Sequence, residues 1–159
     1  VIYHSTATFM AMMILMIVFT LPGRFFGGLI ADKLPKNRMQ LLLVGAFAFQ
    51  VIGLSTYLLN GSTAAVYLLL ACHGLSSGAI TPVVLLMIGR YFGRKAFGSI
   101  MGTMMAFISP LGMTAPVFYG WIYDTTLSYH VAFVVSLCLA GAAMLITAMV
   151  RPPRPLQEI

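Results

Sequence analysis

An arginine inside an apolar stretch is the residue of this 159-residue chain whose chemistry is most specific. Arg24 stands four residues before Gly28 and eight before Asp32, so the three share one face of a helix. The planar guanidinium can donate two parallel hydrogen bonds to a carboxylate. A charge at this depth costs about 2 kcal/mol or more unless it is paired or reaches the interface. Arg24 therefore suits a carboxylate as its partner; the alternatives are that it extends to the interface or pairs with Asp32.

Three further candidates, and one amide, lie deep within apolar stretches. His73 and Ser77 are one helical turn apart, and at about 1.5 Å per residue His73 lies about 15 Å below the start of its stretch. Ser109 lies about 18 Å from the inner end of its own stretch by the same rise. An intramembrane histidine is a functional candidate, and a hydrogen-bonded packing role is the alternative. Gln50, also near mid-depth, is predicted to hydrogen-bond between helices.

Five long apolar stretches must position these side chains. Each approaches or exceeds the roughly 20 residues that a helix needs to cross a bilayer core of about 30 Å. The links at 32–38 and 90–95 and the tail 151–159 are basic, whereas those at 60–62 and 124–128 carry no cation. By the positive-inside rule the basic segments are cytoplasmic, so the N-terminus lies outside and the tail is cytoplasmic. The predicted all-α transmembrane spans are 5–31, 39–59, 64–89, 97–122 and 131–150.

The composition excludes several classes of protein. A chain with 60% hydrophobic and 8% charged residues fits a membrane bundle and not a soluble domain. The net charge of +6 comes from cations in short loops beside the spans, which topology and anionic lipid explain without nucleic acid. The three acids fall near or outside the interfaces, so the sequence predicts no enzyme, metal or cofactor site. It also contains no Gly-rich phosphate loop.

Glycines and prolines predict how the spans pack. Small residues four apart allow two helices to approach closely. A proline inside a span removes a backbone hydrogen bond and is predicted to bend its helix, which alternating access would use; simple curvature is the alternative. The glycine pairs are Gly23 with Gly27, Gly74 with Gly78 and Gly98 with Gly102, and the prolines are Pro82, Pro110 and Pro116.

The segment 28–38 resembles the cytoplasmic-loop signature of the major facilitator superfamily, in which Gly is followed four residues later by Asp and then by basic residues. Pro35 replaces the usual Gly of that signature, and Asn37 interrupts the basic run. The resemblance implies a conformational latch whose Asp, at a helix C-terminus, needs cations or another helix's N-terminus as partner. A charged turn that only sets topology is the alternative. The latch residues are Gly28, for close helix approach, with Asp32, Lys33, Lys36 and Arg38.

A second resemblance covers the end of the chain. The segment 90–102 and the later Ala115-Pro116 pair look like the last two helices of the same superfamily, and most like bacterial members similar to monocarboxylate and oxalate–formate carriers. Leu127 stands where those carriers often have Gly, and Thr20 where monocarboxylate carriers have Asp. The span 97–122 has no Lys or Arg, unlike the matching helix of the oxalate carrier. Together the resemblances imply a five-helix fragment, helices eight to twelve of a twelve-helix bundle.

The family implies a function as well as a fold. We expect a secondary active transporter of the inner membrane, and not an enzyme, that moves a small organic anion such as a monocarboxylate by alternating access. Its partners would be the bilayer, the solute, a proton as candidate coupling ion, and the absent N-terminal half. Asp32 should dock on that half and be under-paired in this chain alone. The implied cavity residues are Arg24, His73, Ser77 and Ser109.

Two other functions fit the same residues. A multidrug or metabolite exporter of the superfamily would prefer an apolar cavity, which the twelve Met and eleven Phe permit and Arg24 disfavours. A purely structural membrane subunit is the remaining alternative. A second Gly-xxx-Asp loop upstream of Val1 would favour the transporter.

Overall fold

The computed structural model of the chain contains four helices and no strand among the residues it describes, which are 2–35 and 38–150, with side chains from residue 10 onward. The predicted all-α class is confirmed. All four helices contain a segment long and apolar enough to cross a membrane, judged by length and composition. Lys36 and the tail 151–159 lie outside the described residues. The helices are α1 (Ile2–Lys33), α2 (Met39–Asn60), α3 (Thr63–Thr126) and α4 (His130–Met149).

The helix α3 is 64 residues long and includes two of the predicted spans together with the basic link between them. Gly93 is its one residue with non-helical angles (φ 72°, ψ 176°), a combination open essentially to glycine alone. The link is therefore helical on both sides of a single-residue break. We call residues 63–92 the first arm and residues 94–126 the second arm of α3. Helical angles continue through Pro82, Pro110 and Pro116, so the break lies at a glycine and not at a proline.

Local signals explain where the other helices end. Gly61 ends α2 in the left-handed conformation (φ 53°), and the Ser62 hydroxyl accepts a hydrogen bond from the Ala65 amide at the start of α3. Leu127 ends α3 in the same left-handed conformation (φ 53°), which a β-carbon disfavours.

The first arm of α3 is the centre of the packing. Helix α1 packs on one side of it and α2 on another, whereas α1 and α2 scarcely touch each other. Helix α4 packs against α2, where Phe133 meets Tyr57 with ring centroids 4.8 Å apart. The second arm is largely free of neighbours within the described chain, and every residue from 105 to 118 is exposed. The described helices thus form one layer, α1–α3–α2–α4, with an arm that extends from it.

An apolar groove of about 260 Å³ lies where α1 and α2 diverge on the surface of α3. We call it the α1–α2 groove. Phe26 and Ile30 line it from α1, Leu42, Gly45 and Phe49 line it from α2, and Ala79 lines it from α3.

Candidate functional site

Arg90, at the end of the first arm of α3, binds the C-terminus of α1. Its Nη1 donates to the carbonyls of Ala31 (3.1 Å) and Leu34 (2.9 Å), and its Nη2 donates to the carbonyl of Asp32 (3.0 Å). The last carbonyls of a helix have no partner within the helix, and the negative end of the helix dipole favours a cation there. Arg90 supplies both needs, so it joins the ends of α1 and α3.

The Asp32 carboxylate forms an ion pair with the same arginine. Its Oδ1 lies 3.5 Å from Arg90 Nη2, and the two side chains are 63% and 27% exposed, respectively. A neighbouring helix of the same chain therefore supplies Asp32 with one partner, and the carboxylate remains only partly paired. At this length and exposure the pair contributes about 0–1 kcal/mol. Most of the Asp32 carboxylate surface stays open to a second partner.

The other predicted latch residues behave differently from one another. Lys33 and Arg38 are exposed, and among the described residues neither pairs with Asp32. Lys36 is outside the described residues. A β-carbon on Gly28 would meet its nearest neighbour, Pro82, at 3.9 Å, an ordinary contact. The close approach expected at Gly28 therefore does not occur there within the described chain.

The close approach occurs one residue earlier, where α1 and the first arm of α3 interlock through glycines. A β-carbon added at any of four positions would come within 2.8 Å of a backbone atom of the facing helix. Real β-carbons do not tolerate such distances, so both helices must carry glycine for their backbones to touch. Two of the predicted glycine pairs thus face each other, whereas Gly98 and Gly102 have no neighbour within 4 Å. The four interlocking positions are Gly23, Gly27, Gly74 and Gly78.

Arg24 lies at this interlocked crossing. Its backbone nitrogen would be 3.0 Å from a β-carbon on Gly78, which places Arg24 level with Gly78 and hence with Ser77. The Arg24 side chain is exposed and has no hydrogen bond or ion pair among the described residues. Arg24 does not pair with Asp32 among the described residues.

Helix geometry puts Arg24, His73 and Ser77 on one side of the layer. Successive residues are about 100° apart around a helix, so Arg24 is about 160° from Phe26 around α1. Ser77 is likewise about 160° from Ala79 around α3. Phe26 and Ala79 both line the α1–α2 groove. Arg24 and Ser77, with His73 one turn away, therefore lie on the opposite side of the α1–α3 pair from this groove.

The hydrogen bonding of these candidates leaves them able to bind a solute. The Ser77 hydroxyl donates to the Gly74 carbonyl (3.2 Å), which leaves its own oxygen free to accept. The half-buried His73 imidazole has no hydrogen-bond partner among the side chains and backbone that the structure describes. Ser109 is exposed on the second arm, and the described structure does not bring it to the other three.

Gln50 has the role that its depth predicted. Its Oε1 accepts a hydrogen bond from the Ser76 hydroxyl across α2 and α3 (3.4 Å), and Ser76 is 1% exposed. The predicted interhelical role of Gln50 is confirmed. Within the described part of the chain no three His, Cys, Asp or Glu side chains gather as metal ligands would.

Sequence reasoning missed Arg90, which it treated only as a topological charge in the link 90–95. A signal was available. Asp32 and Arg90 fall at the same end of the bundle by the alternation of links, and an acid at a helix C-terminus requires a cation. The sequence also gives no means of ranking Arg90 above the other cations of that end.

Comparison with known proteins agrees with the fold and the motifs. Residues 2–158 match the Major Facilitator Superfamily. The chain is 27% identical over 129 residues to the protein named monocarboxylate transporter 13 of Rattus norvegicus. It is 29% identical over 129 residues to the protein of the same name from Bos taurus. Each of these two matches covers 80% of this chain and 30% of the relative. It is also 29% identical over 144 residues to the uncharacterized transporter YycB of Bacillus subtilis, a match covering 87% of this chain and 35% of that protein.

The chain thus spans about a third of the length of the curated relatives it matches. No solved structure matches it. The match over nearly all of its residues, together with the long apolar helices and the motif around Asp32, identifies this multi-pass membrane chain as a member of the Major Facilitator Superfamily, a family of transporters and not of enzymes.

Proposed function

We propose that the protein is a secondary active transporter that moves a small organic anion, such as a monocarboxylate, across the membrane by alternating access. Family membership supports the transport mechanism, and two relatives bear the name monocarboxylate transporter 13. The observation that carries the choice of an anion is Arg24, a cation within a membrane span that has no partner in the described chain.

The energetics of Arg24 favour an anionic solute. An arginine near the centre of a membrane helix costs on the order of 2.5–3.5 kcal/mol, and a carboxylate that pairs with it recovers part of that cost. Ser77, level with Arg24, and His73, one turn further along α3, offer further hydrogen bonds from the same side of the layer. His73 is also the candidate for proton coupling, since imidazole changes charge near neutral pH. Ser109 would join this cavity only if the second arm closed over it.

Arg90 and Asp32 would serve the transport cycle as the latch. Arg90 ties α1 to α3 through carbonyl hydrogen bonds, which leaves the 63%-exposed Asp32 carboxylate able to dock on a helix outside this chain. The basic residues at this end would face the cytoplasm, and the membrane would be the inner one. Forming and breaking that second contact of Asp32 would then alternate with opening of the transporter.

The test is uptake of labelled lactate by the protein at its native length in proteoliposomes. Arg24→Lys and Arg24→Gln are compared with Arg94→Gln, which removes an equal charge from an exposed position outside the α1–α3 crossing. A charge-assisted bidentate contact is worth about 1.5–3 kcal/mol, so both Arg24 variants should raise KM by roughly 10- to 150-fold, while Arg94→Gln leaves it unchanged.

Two results would contradict the proposal. Unchanged uptake in both Arg24 variants would show that Arg24 does not bind the solute and instead packs at the membrane interface. Wild-type protein that takes up no small carboxylate would favour the exporter of apolar compounds.

A further inference from the structure

The α1–α2 groove has the lining of a hydrocarbon site. Helices α1 and α2 both pack on α3 and scarcely touch each other, so a wedge between them stays open. The wall is apolar except for Ser76, which is 1% exposed and already hydrogen-bonded to Gln50. The groove therefore presents no free polar group to an occupant and suits a flexible alkyl chain.

The length of the groove corresponds to one leaflet of a bilayer. Its walls run from Pro22 to Ile30 on α1 and from Leu41 to Phe49 on α2. At about 1.5 Å per residue each wall is about 12 Å long, close to half of a hydrocarbon core of about 30 Å. Both walls end within a few residues of the connection between α1 and α2, so this end of the groove lies near one membrane surface.

Two exposed cations lie close along the chain to this end of the groove. Lys33 follows Ile30 by three residues and so continues the line of α1 side chains that form the wall. Arg38 immediately precedes α2 and lies four residues before Leu42 in the opposite wall. Both are exposed, and neither has an ion-pair partner among the described residues. A phosphate at the mouth of the groove would be within the reach of two flexible donors.

We propose that the α1–α2 groove binds an anionic phospholipid of the adjacent leaflet, with one acyl chain between α1 and α2 and the headgroup phosphate on Lys33 and Arg38. A second copy of the chain fits this surface less well. Two-fold packing about the membrane normal would bring Lys33 and Arg38 of the two copies together at the same end, where their like charges repel. The charge and the depth of the groove together favour lipid.

Native mass spectrometry of the purified protein at its native length, titrated with lipid, tests this proposal. The probes are phosphatidylglycerol and phosphatidylcholine with identical acyl chains. One pair of variants concerns charge: Lys33→Gln with Arg38→Gln is compared with Arg94→Gln and Lys95→Gln, two exposed cations of the other basic segment. Another pair concerns the groove: Gly45→Phe, whose β-carbon meets nothing within 4 Å, fills it, and Gly141→Phe on α4, also unobstructed, is the control.

The expected results are specific. Phosphatidylglycerol binds more tightly than phosphatidylcholine, and loss of both cations weakens its binding by about 25-fold, or about fivefold for each. Gly45→Phe, which displaces about two methylenes of the chain, weakens both lipids by about tenfold. The Arg94/Lys95 variant and Gly141→Phe bind as the wild type does.

Three results would overturn the proposal. Equal losses in the two charge variants would mean that the lipid binds by general attraction to a basic surface. Unaltered lipid binding by Gly45→Phe would show that the acyl chain does not lie in the groove. Equal affinity for the two lipids would show that Lys33 and Arg38 do not bind the headgroup phosphate.

Discussion

The glycine interlock predicts opposite outcomes for two adjacent residues of α1. A β-carbon on Gly27 would lie 2.7 Å from the Ala79 Cα, whereas one on Gly28 would lie 3.9 Å from its nearest neighbour. Restoring an ordinary contact of 3.4 Å at Gly27 forces α1 and α3 apart by about 0.7 Å, because the obstacle is backbone that cannot rotate away. Gly27→Ala and Gly28→Ala change helix propensity equally, so the comparison isolates this contact.

We expect Gly27→Ala to lower the free energy of unfolding by about 1–3 kcal/mol and Gly28→Ala to leave it unchanged or raise it by up to about 1 kcal/mol, the gain in helix propensity. The measurement is unfolding of the purified protein by increasing mole fraction of SDS in mixed micelles, followed by circular dichroism. A loss in Gly27→Ala no larger than that in Gly28→Ala would refute the interlock. Matching large losses would mean instead that a helix beyond the described residues packs on Gly28.

Two further predictions concern the polar end of the bundle, and the same unfolding measurement checks both. Arg90→Gln should lower the free energy of unfolding by about 2–3 kcal/mol, because three carbonyls at the end of α1 lose a charged donor. Asp32→Asn should lower it by less than about 1 kcal/mol, because the ion pair is long and exposed. A larger loss for Asp32→Asn than for Arg90→Gln would show that the carboxylate contributes more than the carbonyl contacts. Gly93→Ala should lower the free energy of unfolding by about 1–3 kcal/mol, because the backbone angles of Gly93 suit only glycine. Gly98 is helical and a β-carbon there meets nothing within 4 Å, so Gly98→Ala should not destabilise the protein. Equal stability of the two variants would show that the break at Gly93 requires no glycine.

Apolar length and the spacing of small residues made the helical architecture predictable. A helix is the simplest way for such a stretch to satisfy its backbone in a membrane, so 20 or so apolar residues suffice to predict one. The link 90–95 was not predictable in the same way, because its charges indicate a membrane surface but not whether the chain stays helical there. Only the angles of Gly93 reveal that α3 is interrupted at one residue.

The sequence did not reveal which residue or helix each candidate side chain contacts. The spacing of Gly23 and Gly27 is the same as that of Gly98 and Gly102, yet only the first pair has a facing backbone within contact distance. The choice of Arg90 as the partner of Asp32 depends likewise on which helix ends lie together. Depth was more informative for Gln50, because a buried amide must find a hydrogen bond wherever its helix packs.

The backbone contact between α1 and α3 has a thermodynamic consequence for the proposed transport cycle. While α1 and α3 keep their backbone contact at four glycines, the distance between the backbones of Arg24 and Ser77 stays the same. The two backbones then present the bound anion with the same spacing in the outward-open and inward-open states. Any difference in solute dissociation constant between the two states must then arise from a change other than this backbone spacing.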